Sequence, residues 1–454
     1  MTGEPRVSTT DRRLQPVLSL RDLIFYGIVI IQPIAPVPIF GVTQSLSHGH
    51  AVTAVLLSGA AMMLTAFSYG RMATLYPSAG SAYSYVGRGL NPHLGFLAGW
   101  AMALDYLLFP IVALIQAGLT VERLVPAIPY TAWVVFFVIG MTAINWRGIR
   151  TTARANMTLL AGMSIVILAF LVLAIGYLAR LHGWFGLLST APFYDARTFN
   201  LPAIATATSF AALTYIGFDG LTTLAEDVEN PRRNVLVALV GVCAFLTLFS
   251  CLLVYLAQLV WPDYTTVQNV ETAFMDVTRR VGGDGLFHAL GIVIVLGSLG
   301  SGLAAGVAAA RLLFAMGRDG VLPKRTFGYL NPTTNTPTFN IALIGGLALT
   351  GALVLSLEHA GALLNFGAFL SFMGVNLATL NQYYFRRSHG GRAHWLSDLV
   401  MPGLGFLFCF GMWLSLPTLS QIVGGAWLVV GIVYNAWITR GFRSAPTMID
   451  FSER

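Results

Sequence analysis

Twelve times in its 454 residues the chain stays apolar for about the 20 residues that a helix needs to cross a bilayer. The runs are 22–46, 51–75, 94–119, 130–145, 152–178, 201–225, 234–261, 286–316, 339–357, 362–384, 399–418 and 421–438. In hydrocarbon every backbone N–H and C=O must be satisfied within the protein, so such runs are expected to be helices. Charged residues make up only 10% of the chain, against about 25% in a soluble domain, and the mean hydropathy is +0.73. The sequence therefore predicts an all-α integral membrane protein. The longest outer loop, 262–284, is too small for a separate catalytic domain. Function is expected between the helices.

Charge orients the spans. With the amino terminus inside, 21 of the 26 Lys and Arg fall on the inner face and five on the outer, which follows the positive-inside rule. Both termini are thus expected in the cytoplasm and the spans in the cell (plasma or inner) membrane. The net charge of +7 is scattered along the chain, so it implies orientation and not a nucleic-acid partner. The expected division is a tail at 1–20, a helical core at 21–386 with halves of about 21–180 and 201–386, two further helices within 397–440, and a tail at 441–454. Residues 1–20 lack the apolar stretch of a signal peptide. Cys243, Cys251 and Cys409 lie in apolar runs without disulfide or metal spacing, so they read as packing residues, and no metal or cofactor is expected.

Two runs break the pattern. The stretch 201–231 carries Gly217, Asp219 and Gly220 near its middle and Glu226, Asp227 and Glu229 at its end. An acid at the bilayer centre costs roughly 3 kcal/mol unless it faces a cavity or a partner, and glycine lets the backbone leave helical geometry. The first run holds Pro33, Pro36 and Pro38 before Gly41, which removes three backbone donors within six residues. Spans one to five and six to ten form matching halves, so the breaks fall at corresponding positions. Paired interrupted helices are a sequence pointer to a transporter site at the midplane.

Three motifs carry a family resemblance: Tyr76-Pro-Ser-Ala-Gly-Ser-Ala-Tyr-Ser-Tyr85 with Leu94-Gly-Phe-Leu-Ala-Gly-Trp100, Gly217-Phe-Asp-Gly220 with Glu226-Asp-Val-Glu-Asn-Pro231, and Ala310-Arg-Leu-Leu-Phe-Ala-Met-Gly-Arg-Asp-Gly-Val-Leu-Pro323. Together they resemble the amino acid–polyamine–organocation superfamily. Leu104-Asp-Tyr-Leu107, Phe218-Asp-Gly-Leu-Thr-Thr-Leu224 and Leu364-Asn-Phe-Gly-Ala368 look most like its putrescine-importer branch. The resemblance implies a five-plus-five inverted repeat with helices 1 and 6 broken, two extra C-terminal helices, and alternating access. It also implies that a substrate amine meets the carbonyls of Ala212, Leu213 and Thr214, beside Tyr215. Amino-acid carriers of the superfamily hold the carboxylate on a glycine-rich turn in the first helix. Here that turn reads Pro36-Val37-Pro38, where two donors are missing and only Val37, Ile39 and Phe40 keep theirs. Such a site favours an ammonium over a carboxylate.

Asp105 and Asp219 lie mid-span and are candidates for a second ammonium group or a coupling proton; the alternative is a buried acid that fixes helix packing. Glu226 and Asp227, near Arg232 and Arg233, are read either as an inner gate or as interfacial charge. Ser298 and Ser301 could serve a sodium ion or simply close packing. Some relatives that couple to protons place a lysine in the fifth helix, whereas the one lysine here is Lys324 in a loop. The expectation is a secondary transporter, not an enzyme, that imports small amines such as putrescine, or amino acids, with H+ as the coupling ion and Na+ as the alternative. An amino-acid permease or exchanger is the competing reading. A channel would need a continuous polar stripe, and an intramembrane aspartyl protease would leave most spans without purpose.

Overall fold

The structure is a computed structural model that describes residues 18–32, 34–77, 81–148, 153–318, 322–334, 336–388 and 394–446, with the side chains of 29–31, 153–156 and 226–227 outside that description. Its helices in order are α1 (Leu20–Ile31), α2 (Pro36–Leu46), α3 (Ala51–Leu75), α4 (Ser81–Gly89), α5 (Pro92–Leu124), α6 (Tyr130–Trp146), α7 (Ala153–His182), α8 (Leu201–Ala211), α9 (Pro231–Val260), α10 (Ala273–Arg318), α11 (Lys324–Phe327), α12 (Thr338–Val354), α13 (Leu357–Leu380), α14 (Met401–Leu414) and α15 (Thr418–Ile438). There is no strand among the described residues, only an isolated bridge between Leu18 and Val228.

Nine helical stretches among the described residues are long and apolar enough to cross a membrane; α6 and α12, of 17 residues each, are shorter apolar helices. Outward side chains such as Ile165, Val172 and Leu248 are 67–70% exposed, an apolar surface suited to lipid and not to water. The chain is a multi-pass membrane protein.

The first run is two half-helices, α1 and α2. The sequence places its unwinding at the prolines, but the structure places the break just before Pro36, which starts α2. Proline at the first helical position costs no hydrogen bond, because that N–H has no partner inside the helix anyway. Pro33 lies outside the described residues. A second difference concerns 262–284, read from sequence as loop. Helix α10 already begins at Ala273 and bends at Gly283, where φ is 65°. Phe274, Met275 and Val277 are buried on this early turn, and Phe274 packs edge-on against Phe40 of α2 at 5.6 Å. The local apolar pattern is too short to announce a span, but it suffices to seat a helix on a neighbour.

Packing uses small residues at crossings, as expected where lipid supplies no hydrophobic drive between helices. Helix α3 runs along α9, and α5 is held between α10 and α13. At Gly70 an added Cβ would lie 2.6 Å from Leu236 Cα, and at Gly367 it would lie 2.3 Å from Ala101 O. The last helix is fastened by a reciprocal pair: Trp100 Nε1 donates to Trp427 O and Trp427 Nε1 to Trp100 O, both at 2.9 Å, with the rings stacked at 4.8 Å. Arg71, near the end of α3, pairs at 2.7 Å with the fully buried Asp398 that leads into α14. Arg123 of α5 pairs with Asp276 of α10.

Candidate functional site

The two interrupted segments lie against each other: α1 contacts the 3-10 stretch Phe218–Asp227, and α2 contacts α8. At one end they are tied by backbone, the Glu229 N–H donating to Leu18 O at 2.9 Å. After α8 the chain makes a single 3-10 turn, Ala212–Tyr215, then passes through Gly217 at φ 100° before Asp219. Only glycine takes that left-handed conformation without steric cost, which explains the break at this residue. The Leu213 carbonyl accepts from the Ile216 N–H at 3.3 Å, and the Thr214 hydroxyl is buried with no partner.

Backbone donors are scarce at the opposing break. Pro36 and Pro38 have no N–H, the Val37 N–H donates to Ile34 O at 2.9 Å, and the Ala35 N–H donates to Gln32 O at 3.1 Å. Val37, Ile39 and Phe40 are buried, and Pro38 is half-buried. Gly297 of α10 faces this break: an added Cβ there would lie 3.2 Å from both Gln32 Oε1 and Ile34 Cδ1.

Two acids lie within electrostatic reach of each other near the sixth-run break, Asp219 and Asp105. Asp219 Oδ2 accepts from Ser81 Oγ at 3.5 Å; Thr222 Oγ1, 3.2 Å from Ser81 Oγ, donates to the Asp219 carbonyl at 2.6 Å. Asp219 is within electrostatic reach of Asp105, Tyr69 and Tyr85. Asp105 Oδ1 and the Tyr69 hydroxyl are buried without a hydrogen-bond partner among the described residues, while the buried Tyr85 hydroxyl has only Thr222 within loose hydrogen-bonding reach. An unsatisfied buried polar atom costs about 1–3 kcal/mol, so two of them within electrostatic reach of Asp219 call for an explanation, and a polar guest supplies one. Asn365 of α13 adds another orphan: its Nδ2 donates to Ser209 O at 2.7 Å while Oδ1 has no partner.

Other sequence candidates are engaged elsewhere. The buried Tyr215 ring directs its hydroxyl to Thr247 Oγ1 at 3.0 Å on α9, leaving only its backbone to the break. Phe218 belongs to an aromatic cluster with Tyr69 at 5.4 Å and Phe372 at 5.3 Å. Ser301 Oγ donates to Ser298 O at 3.1 Å within α10, as a close-packing serine does. The side chains of Glu226 and Asp227 lie outside the described residues. Tyr69 was not singled out from sequence, because a single polar residue in an apolar run does not reveal which face it occupies; Asn365 and Thr222 fall within the Leu364–Ala368 and Phe218–Leu224 motifs but were given no role. Ser81 and Tyr85 do fall within the Tyr76–Tyr85 motif.

Comparison with known proteins joins this geometry to a family. The family model described as "Amino acid permease" matches residues 37–439. The chain is 34% identical over 96% of both chains to the low-affinity putrescine importer PlaP of Escherichia coli. It is 27% identical to the methylthioribose transporter of Bacillus subtilis, over 93% of each, and 25% identical to the branched-chain amino acid permease BcaP of Lactococcus lactis, over 95% of this chain and 96% of BcaP. With half-helices facing each other around unsatisfied polar atoms, and matches spanning nearly its whole length, this chain belongs to the amino acid permease family of membrane transporters.

Proposed function

We propose that this transporter carries small organic diamines such as putrescine, held between the two broken segments by alternating access. The observation that carries the reading is that Asp105 and Asp219 lie within electrostatic reach of each other, in a fold where the α2 start facing the Ala212–Tyr215 turn is poor in N–H donors. A diamine brings two ammonium groups and no carboxylate. One would meet Asp219 and the carbonyls of the Ala212–Thr214 turn, the other Asp105, with Tyr69 and Tyr85 hydroxyls accepting or donating around them. An α-amino acid would need donors for its carboxylate, and the start of α2 offers few. The 34% identity to a putrescine importer supports the same choice.

The finer architecture belongs to this reading. Counting the broken first segment and the two shorter apolar helices as spans gives twelve crossings, five plus five in inverted repeat with α14 and α15 added. The charge bias supports both termini in the cytoplasm and a cell-membrane location. Asp105 or Asp219 would exchange the coupling proton; the Ser301 bond to its own helix leaves Na+ the weaker alternative. Glu226, Asp227 and Glu229 would form the inner gate.

The test is uptake into proteoliposomes of radiolabelled putrescine and of amino acids, with and without an imposed pH gradient. Saturable putrescine accumulation that follows the gradient is expected. Uptake of α-amino acids alone would overturn the substrate assignment, and non-saturating flux would overturn alternating access.

A further inference from the structure

Away from the central break, a crevice of about 620 Å3 opens between the end of α3, the start of α9 and the end of α13. Its polar wall is Arg71, Arg232, Tyr383 and Ser388; its apolar wall is Leu75 and Leu236. Arg71 is fixed in place: it pairs with Asp398 at 2.7 Å, and its guanidinium lies 3.7 Å over the Tyr383 ring. Its Nε is nevertheless buried without a partner. Arg232 is held by its backbone, whose carbonyl accepts from Thr74 Oγ1 at 2.9 Å, while its exposed side chain forms no ion pair among the described residues. Exposed Arg233 near the start of α9, and Arg386 and Arg387 in the segment that follows α13, stand against the exposed acid Glu229.

We propose that this crevice binds the phosphodiester headgroup of an anionic phospholipid. Asp398 neutralises Arg71, so among the residues lining the crevice one charge, that of Arg232, is uncompensated, which suits a monoanionic diester better than a dianionic free phosphate. The exposed Arg232 then offers its guanidinium to the phosphate oxygens, with Arg71 held in the wall behind it. The flanks are those of a lipid site: Val237 is 42% exposed, Phe385 66% and Trp395 68%, apolar and aromatic surface where acyl chains and the interface would lie. A bound lipid would bridge α3 and α9 to α13, linking the helices that carry Tyr69 to those that carry Asn365.

The experiment uses the full-length protein, delipidated and assayed by native mass spectrometry and thermal unfolding. The probes are phosphatidylglycerol, phosphatidylcholine and inorganic phosphate. Retention of phosphatidylglycerol over phosphatidylcholine, with a saturable rise in midpoint, is expected. Arg232→Gln should weaken that retention about tenfold through loss of one charge-assisted contact, while Arg180→Gln on the opposite face leaves it unchanged. Arg232→Gln is preferred to an Arg71 variant, which would strand Asp398; its midpoint in phosphatidylcholine reports folding separately. Equal retention of both lipids, or no change in Arg232→Gln, overturns the proposal. Displacement of the lipid by inorganic phosphate at millimolar concentration would also overturn it, in favour of a free-phosphate site.

Discussion

Replacing Gly367 by alanine tests whether the crossing of α13 over α5 fixes the surroundings of Asp105. An added Cβ would lie 2.3 Å from Ala101 O, where ordinary contact begins near 3.4 Å. The obstacle is backbone, so no rotamer change relieves it; α13 must move from α5 by about 1 Å. Overpacking of this kind costs about 1–3 kcal/mol. The same displacement stretches the bond from Ser371 Oγ to Ala98 O, now 3.0 Å, at a further cost of about 1 kcal/mol. Alanine returns about 1 kcal/mol of helix propensity. The net expectation is a loss of about 1–3 kcal/mol. Gly346→Ala in α12 is the control, because nothing lies within 4 Å of its added Cβ and only the propensity gain remains. Denaturation of both variants in detergent, followed by tryptophan fluorescence, should place Gly367→Ala below wild type and Gly346→Ala at or above it. If Gly367→Ala is as stable as Gly346→Ala, the close crossing is wrong, and with it the placement of Asp105.

Asp219→Asn and Asp105→Asn should each lower putrescine uptake efficiency about 10- to 100-fold, the value of one charge-assisted contact, and reduce the preference for a diamine over a monoamine of equal length; wild-type uptake by both variants from mildly acidic to mildly alkaline pH would exclude both acids as ligands. Asp398→Asn leaves Arg71 only partly solvated and without its counter-charge, so a loss of about 3–5 kcal/mol is expected in denaturation. Trp427→Phe keeps an aromatic ring against Trp100 and removes one donated bond, costing about 1 kcal/mol, whereas Trp427→Ala should cost about 3 kcal/mol or more by also emptying the stack. Equal midpoints for the two Trp427 variants would show that α15 is not fastened there.

The sequence by itself determined what depends on neighbours along the chain. Apolar length marks membrane helices because the bilayer sets one scale for them all, and Gly217-Phe-Asp-Gly220 marks a break because only glycine takes the backbone through φ 100°. The acids at 105 and 219 were legible for the same reason: a charge in an apolar run is costly wherever it lies. Tertiary structure alone decided what depends on facing. It moved the first break ahead of Pro36, since proline is as good at starting a helix as at stopping one. It turned Tyr215 and Phe218 into packing groups and brought the unpartnered Tyr69 hydroxyl, and that of Tyr85, within electrostatic reach of Asp219. These side chains come from segments more than a hundred residues apart, and the rotation of one helix against another, set by crossings such as Gly367 on Ala101, leaves no periodic trace in either strand of sequence.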